Sequence, residues 1–400
     1  MGIILNDQQE ECGSLGEKWF RRVTSKQTFE YSGPAGSGKT TIARYIMDRL
    51  GLTDNDVLFM AYVGKAAMRL RQTGVPAKTI HSSIYNVMLV PKMDENGEYV
   101  FSRGRVVKVP EFVLKEILGN GKIKMIFIDE GSMVDERIAK DVLSFGLPVM
   151  VTGDLDQLPP VFGNPYFLVN PDYRITKIMR QAENHPIIHL SQLAKQGRNI
   201  DFGKYGDTCY VIPRSAMTDK MLITSDLNIC PTNKARQALN THIRRDILGI
   251  TKNYPVVGDK LICRQNNWDE CLDDIYLING LIGYVEDVSL ESFNGQKINI
   301  DFRPEFLNSS FKGLALDYKH LMKPLTEKST MKSMFNKFEF ANAISVHLSQ
   351  GSQCDNVLYY DQRVGDREYY RKLLYTGITR AKNGLILVRE GGDDIARYFI

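Results

Sequence analysis

Four hundred residues, 43% apolar and 24% charged, exceed what one hydrophobic core usually supports and exclude long disorder, so two or more domains are expected. A net charge of +4 is compatible with a basic groove for a polyanion without requiring one. Six scattered cysteines with no C-x-x-C, no apolar run of roughly 18 residues and no basic leader argue against a zinc site, a disulfide framework and a membrane span, and point to a reducing cytosol.

Apolar runs bounded by turn residues predict strands at Phe29 to Tyr31, Val57 to Tyr62, Met125 to Ile128, Val149 to Val151, Val357 to Tyr360 and Leu385 to Val388. Helical patterns separate them, which predicts an α/β fold of buried parallel strands. After the first run comes GPAGSGKTT, Gly33 to Thr41, and then a helix on which Ile42, Ile46 and Leu50 recur at helical spacing before Gly51 can cap it. Two stretches break the rhythm. From Val87 to Pro110, MLVPKM and EYVFS flank Asp94-Glu95-Asn96-Gly97, a hairpin turn signal because Asn and Gly tolerate positive φ. From about Val257 to Lys337, LICRQ, YLINGLIGYVEDV and QKINIDF, with turns at Asn279-Gly280 and Asn294-Gly295, predict a small, mostly β insertion.

Five motifs carry the chemistry. In the glycine loop, Gly33, Gly36 and Gly38 let successive backbone N–H groups face the β- and γ-phosphates of a nucleotide, Lys39 adds a point charge, and the Thr40 hydroxyl can ligate magnesium. Pro34, Ala35, Ser37 and Thr41 complete the cradle. In IFIDEGS (Ile126 to Ser132) two acids close a strand, Asp129 to hold Mg2+ through water and Glu130 to polarise the attacking water. In VTGDLDQLPP (Val151 to Pro160), Gln157 is positioned to sense the γ-phosphate. Arg180 in IMRQ and Arg380 in YTGITRAK (Tyr375 to Lys382) are arginine-finger candidates.

Taken in order, these motifs resemble the superfamily 1B helicases of the RecD-like and Dda-like branch over nearly the whole chain. LNDQQ (Leu5 to Gln9) is similar to the adenine-reading Q motif, with Gln9 at the matching position. GKAAMRL (Gly64 to Leu70) and TIHS (Thr79 to Ser82) resemble the next two segments, CPTN (Cys230 to Asn233) the opening of the second motor, and AISVHLSQGS (Ala343 to Ser352) motif V, whose Gly351 would border the nucleotide. The chain departs from the family pattern at Ala61-Tyr62-Val63, Leu348 and Gly131.

The resemblance implies two RecA-like parallel-sheet motor domains, residues 1–86 with 111–170 and residues 171–256 with 338–400. A β-hairpin pin would occupy 87–110 and an SH3-like β-barrel 257–337. It implies an ATP-dependent helicase using ATP and Mg2+, moving 5′ to 3′ as a monomeric motor on single-stranded and forked duplex DNA. A single-strand-binding or replication protein would be its companion, in a bacterial or phage-infected cell, in DNA replication, recombination or repair. Lys65, Thr79 and His81 would hold the strand on the first motor, and Thr232, Asn233, His347 and Ser349 on the second, gripping phosphates without reading sequence. Tyr99 and Phe101 either split the duplex or pack the hairpin against the motor. An RNA helicase, and a strand translocase that displaces proteins without unwinding, remain as alternative readings.

Overall fold

Full burial of short apolar runs leaves their backbone groups only one another as partners, so the strands pair into a parallel sheet. The computed structural model describes residues 5–21, 26–91, 93–94, 96–102, 105–106, 108–159, 164–177, 185–272, 275–291, 297–321 and 335–391. They form two units: Met1–Ser32, Thr40–Gly153 and Phe162–Arg174 in the first, and Gly33–Lys39, Asp154–Val161 and Ile175–Ile400 in the second.

The first unit is built on β1 (Thr28–Ser32), β2 (Val57–Ala61), β3 (Lys78–Thr79), β8 (Met125–Asp129), β9 (Val149–Gly153) and β10 (Tyr173–Arg174). They run in the order β10-β1-β9-β8-β2-β3, every pair parallel. Helices α1 (Asp7–Arg21), α2 (Lys39–Leu50), α3 (Gly64–Gln72), α4 (Ile80–Ile84) and α5 (Glu136–Leu143) accompany the sheet. On α2 the buried face is Ile42, Ala43, Ile46 and Met47, and Gly51 ends the helix in the left-handed region at φ 65°.

Between β3 and β8 the chain makes a long antiparallel excursion. β4 (Tyr85–Pro91) pairs with β7 (Lys108–Leu114) from Tyr85 opposite Leu114 to Pro91 opposite Lys108, so the ladder reaches further toward the sheet than Val87 and Pro110. A second short pair, β5 (Phe101–Ser102) with β6 (Arg105–Val106), lies beyond it. Asp94 makes the turn: its Oδ1 accepts the backbone N–H groups of Asn96 and Glu98, both at 2.9 Å, and Gly97 supplies φ 81°.

The second unit holds β11 (Gly203–Tyr205), β12 (Cys209–Pro213), β13 (Leu227–Cys230), β21 (Ala343–Ser345), β22 (Cys354–Tyr360) and β23 (Ala381–Arg389), in the order β11-β12-β23-β22-β13-β21. All pairs are parallel except β11 with β12. Helices α6 (Pro186–Gln196), α7 (Asp219–Thr224), α8 (Asn233–Thr241) and α10 (Arg367–Ile378) belong to it. Inserted between β13 and β21 are β14 (Lys260–Cys263), β17 (Ile282–Glu291), β18 (Lys297–Pro304), β19 (Phe311–Asp317) and β20 (Phe338–Phe340), an antiparallel sheet ordered β19-β18-β17-β14-β20. The hairpin of β15 (Asn267–Leu272) and β16 (Ile275–Leu277) and the single turn α9 (Tyr318–Leu321) complete it.

This inserted sheet has its own apolar core, including Leu261, Val285, Ile300, Phe302, Leu314 and Phe338. Buried Arg244 ties its root down, donating to Asp259 Oδ1 at 2.9 Å and Oδ2 at 3.0 Å with its guanidinium over the Phe340 ring. Gly280, at φ 91°, makes the Asn279-Gly280 turn; the Asn294-Gly295 turn lies outside the described residues. Among the described residues no helix is long and apolar enough to cross a membrane.

Gly283, in β17, is the tightest point of the inserted sheet: a Cβ there would lie 2.2 Å from the Arg303 carbonyl oxygen, a backbone atom that cannot turn aside. Gly283→Ala should therefore cost about 3 kcal/mol or more by overpacking. Amide exchange should accelerate in β17 and β18 while β1 and β8 keep their protection. Unaltered exchange across the inserted sheet would contradict this account.

Candidate functional site

The loop between β1 and α2 is shaped by its glycines. Gly36 and Gly38 sit in the left-handed region at φ 79° and 76°, and a Cβ on Gly33 would lie 2.6 Å from Ser37 Oγ. Lys39 folds back over the loop, its Nζ donating to the carbonyl oxygens of Gly33 at 2.9 Å and Pro34 at 3.1 Å. Thr40 and Thr41 follow in the first turn of α2.

On the first unit, Asp129 ends β8 with 1% exposure, between β2 and β9, and Glu130 is 6% exposed. The Glu130 N–H donates to Asp129 Oδ1 at 3.0 Å. Glu130 itself is held at φ 54°, ψ 40°, a left-handed conformation that costs a non-glycine residue about 1–3 kcal/mol and persists only where the surroundings over-determine it. Arg69 of α3 reaches the pair, with Nη2 3.1 Å from Asp129 Oδ2 and 3.8 Å from Glu130 Oε1. Burial works against the Arg69 charge, but the two carboxylates outweigh it and hold its pKa above the ordinary value.

Within the second unit, three chain segments converge. Tyr375 Oη donates to Asp154 Oδ2 at 2.7 Å and accepts the Ala35 N–H of the glycine loop at 3.3 Å. Gln157 Nε2 donates to the same Asp154 oxygen at 3.3 Å, and its Oε1 accepts from Arg380 Nη2 at 3.2 Å. Arg380 is 1% exposed and also donates to the carbonyl oxygens of Thr376, Ser352 and Ser349 at 2.9, 3.1 and 3.4 Å. Burial pushes the Asp154 carboxyl upward, against the Lys39 charge and the Tyr375 hydrogen bond. Gly351, at φ 75°, lies between Gln350, which donates to Leu158 O at 3.0 Å, and Ser352. Arg180 lies outside the described residues.

Three of these network members, Asp154, Tyr375 and Thr376, escaped the sequence reading. Thr376 Oγ1 accepts the Leu158 N–H at 2.9 Å. All three lie inside stretches already singled out, VTGDLDQLPP and YTGITRAK, where the nominated glutamine and arginine drew attention from their polar neighbours.

The strand-binding candidates fall into distinct environments. Thr79 caps α4, accepting the Ser82 N–H at 3.2 Å, and Thr232 caps α8, accepting the Ala235 N–H at 3.1 Å. Asn233 beside it is exposed, and Lys65 stands in the first turn of α3. His81 packs among Tyr62, Tyr85 and Phe112, with ring centroids 6.3, 5.7 and 5.8 Å away. His347 stacks on Tyr369, whose hydroxyl lies 3.1 Å from Nε2. Burial lowers the pKa of both histidines. Tyr99 and Phe101 are 51% and 63% exposed near the end of the hairpin.

Ser349 of the strand-binding set and Gln9, the adenine-reading candidate, are buried. Ser349 has no exposed surface, its hydroxyl donates to Val346 O at 2.7 Å, and its carbonyl serves Arg380. Gln9 is likewise buried, closing a reciprocal cap in which its Oε1 accepts the Asn6 N–H at 2.9 Å and Asn6 Oδ1 accepts the Gln9 N–H at 3.0 Å.

Comparison with known proteins places these motifs in a wider setting. An AAA domain model matches residues 17–212, and a UvrD-like helicase C-terminal domain model matches residues 340–388. The chain is 24% identical over 425 residues to the ATP-dependent DNA helicase dda of Enterobacteria phage T4, covering 89% of this chain and 93% of that protein. It is 23% identical over 377 residues to the ATP-dependent RecD2 DNA helicase of Deinococcus radiodurans, covering 88% of this chain and 45% of that one. The Pif1 helicase from Bacteroides, solved in complex with ADP-AlF3 and ssDNA, shares the fold with a TM-score of 0.52 at 18% identity, over 97% of this chain and 92% of that one.

Packing explains the departure at Gly131. A Cβ there would lie 2.2 Å from Val151 Cγ1 of β9, so the valine and the glycine are a matched pair directly after the acids. Gly131→Ala should cost about 1–3 kcal/mol in the wild-type background. Much of that cost should disappear when Val151→Ala is already present, a coupling of about 1 kcal/mol or more in a urea-denaturation double-mutant cycle. Strictly additive costs would show that the two residues do not compete for the same space.

Proposed function

The chain belongs to the superfamily 1B helicases, and from that premise we propose that ATP hydrolysis drives it 5′ to 3′ along single-stranded DNA to open forked duplex. The observation that carries this reading is the convergence of the glycine loop, Gln157 and Arg380, with the arginine 3.2 Å from the glutamine and Tyr375 bonded to the loop. A metabolite kinase built on the same loop explains neither that late arginine nor the two β excursions.

Each group has a role suited to its chemistry. Backbone N–H groups of residues 35–38 and the Lys39 ammonium hold the β- and γ-phosphates. To do so the Lys39 ammonium exchanges the Gly33 and Pro34 carbonyls for phosphate oxygens. The Thr40 hydroxyl and Asp129 carboxylate are the hard oxygen donors that magnesium takes, and the ion when bound neutralises charge on the phosphates. Glu130 orients the attacking water. Arg380, held by carbonyls and Gln157 Oε1, turns donors toward charge developing on the transferred phosphoryl group, and Gln157 reports the change. Arg180 is assigned the companion finger on motif grounds alone.

On the strand, Lys65 offers charge, while Thr79, Thr232, Asn233, His81 and His347 offer neutral hydrogen bonds and ring faces. Burial keeps both histidines toward the uncharged form, which suits stacking and hydrogen bonding better than ion pairing. Ser349 serves through its carbonyl on Arg380. The excursion at 85–114 is assigned as the pin and the inserted sheet at 260–340 as the SH3-like element. A monomeric motor in the cytosol, working beside a single-strand-binding or replication protein in replication, recombination or repair, fits this reading.

Lys39→Ala should abolish DNA-stimulated ATPase while leaving affinity for single-stranded DNA within about threefold, since the strand contacts are elsewhere. Near wild-type turnover in that variant would refute the assignment. The exposure of Tyr99 and Phe101 favours a wedge over packing against the motor. The Tyr99→Ala, Phe101→Ala double variant should keep its DNA-stimulated ATPase and lose unwinding of a forked duplex by about tenfold, in line with roughly 1–3 kcal/mol per stacked base. Full unwinding by this variant would make the tip a bystander.

A further inference from the structure

Arg69 has no part in the roles assigned above, yet it is paired with both acids at the end of β8. Asp129 and Glu130 have side chains only 1% and 7% exposed, so two negative groups stand side by side where water has little access. Arg69, 31% exposed, lies against both. An Asp129 oxygen engaged by a guanidinium has one lone pair fewer to offer a metal or its water shell. A divalent cation entering the same space meets a like charge a few ångströms away, in surroundings that screen poorly.

The helix that carries Arg69 also carries Lys65, four residues earlier. That spacing puts the two residues on one face, about 6 Å apart along the axis of a single nine-residue helix. Displacing this short helix through Lys65 would carry Arg69 with it. The 3.1 Å hydrogen bond of this ion pair is steep in distance and angle, so a small shift forfeits it, while the Coulomb attraction falls only as 1/r.

We propose that Arg69 is a positioning residue that acts as the resident counter-ion of Asp129 and Glu130, obstructing magnesium nucleotide until strand engagement on α3 draws the guanidinium away. Arg69 thereby couples DNA binding to ATP use. This inference rests on the helicase reading above and names one regulator of that same site.

The test uses the full chain and a fluorescent ADP analogue, so that binding is read without turnover. In the wild type, oligo-dT should lower the Mg2+ concentration for half-saturation of analogue binding by about fivefold or more, the ordinary size of coupling between two sites. Arg69→Gln should show that lowered requirement without DNA, raise DNA-free ATPase several-fold, and reduce the stimulation ratio to match. Arg69→Lys, which keeps the charge, should stay within about twofold of the wild type in Mg2+ requirement. A glutamine variant with the wild-type Mg2+ requirement and stimulation ratio would overturn the proposal, as would one that needs more Mg2+. Should that variant fail to melt cooperatively, the wild-type titration decides alone: no shift with oligo-dT ends the proposal. ATPase that oligo-dT does stimulate, with Mg2+ dependence unmoved, sinks only the role of Arg69, whereas absence of any DNA stimulation sinks the helicase reading itself.

Discussion

Everything at the acid site follows from the burial of five consecutive residues, Met125–Asp129, in the interior of a parallel sheet. With β2 on one side and β9 on the other, the backbone of β8 has no freedom to slide: a one-residue slip would carry every side chain to the opposite face. The first polar residue the strand can tolerate is its last. Asp129 therefore emerges at the carboxyl end of the sheet, and the turn that follows holds Glu130 in left-handed geometry, next to a Gly131 at which Val151 of β9 leaves no room for a side chain. Sheet packing thus aims the acids, and their chemistry needs nothing from the loop except that it not relax.

Buried charge is the second constraint, and the two units meet it differently. In the first, the acids are answered by a partly exposed guanidinium on a neighbouring helix. In the second, Arg380 is almost wholly enclosed and is held by main-chain carbonyls and a neutral glutamine. Carbonyl ligation satisfies the donors of a guanidinium without cancelling its charge, so the cation stays available to a partner of opposite sign. Breaking such a network is costly and completing it is favourable, which makes a small shift of the glutamine or tyrosine a large electrostatic event.

The two antiparallel excursions contrast with this. The hairpin at 85–114 is held by its own ladder and by the aromatic cluster of His81, Tyr85 and Phe112 at its base, and leaves large side chains in solvent at its far end. The inserted sheet has a separate core and is anchored by the Arg244–Asp259 pair. Exposed aromatics on a stiff ribbon are costly to keep unless they meet something, and unstacked bases are a suitable partner.

Local pattern was sufficient for much of this protein. The apolar runs are strands, each longer by a residue or more at one end or both, except Val57–Ala61, which stops at Ala61 because Tyr62 already belongs to the turn into α3. The glycine loop, the Asp94–Gly97 turn and the acids at a strand end were legible because each depends on residues a few positions apart. What tertiary structure decided is everything that depends on distant residues meeting. Arg69 with Asp129, Tyr375 with Asp154, and Gly131 with Val151 are each separated by many positions, and no periodicity announces them. Burial also decided which polar groups face inward: the side chains of Ser349 and Gln9 satisfy the backbone around them, and a buried donor or acceptor left without a partner is costly. Sequence determined which chemistry the chain carries, because motifs are local; the fold determined which charges oppose one another, because electrostatics depends on distance in space and not on distance along the chain.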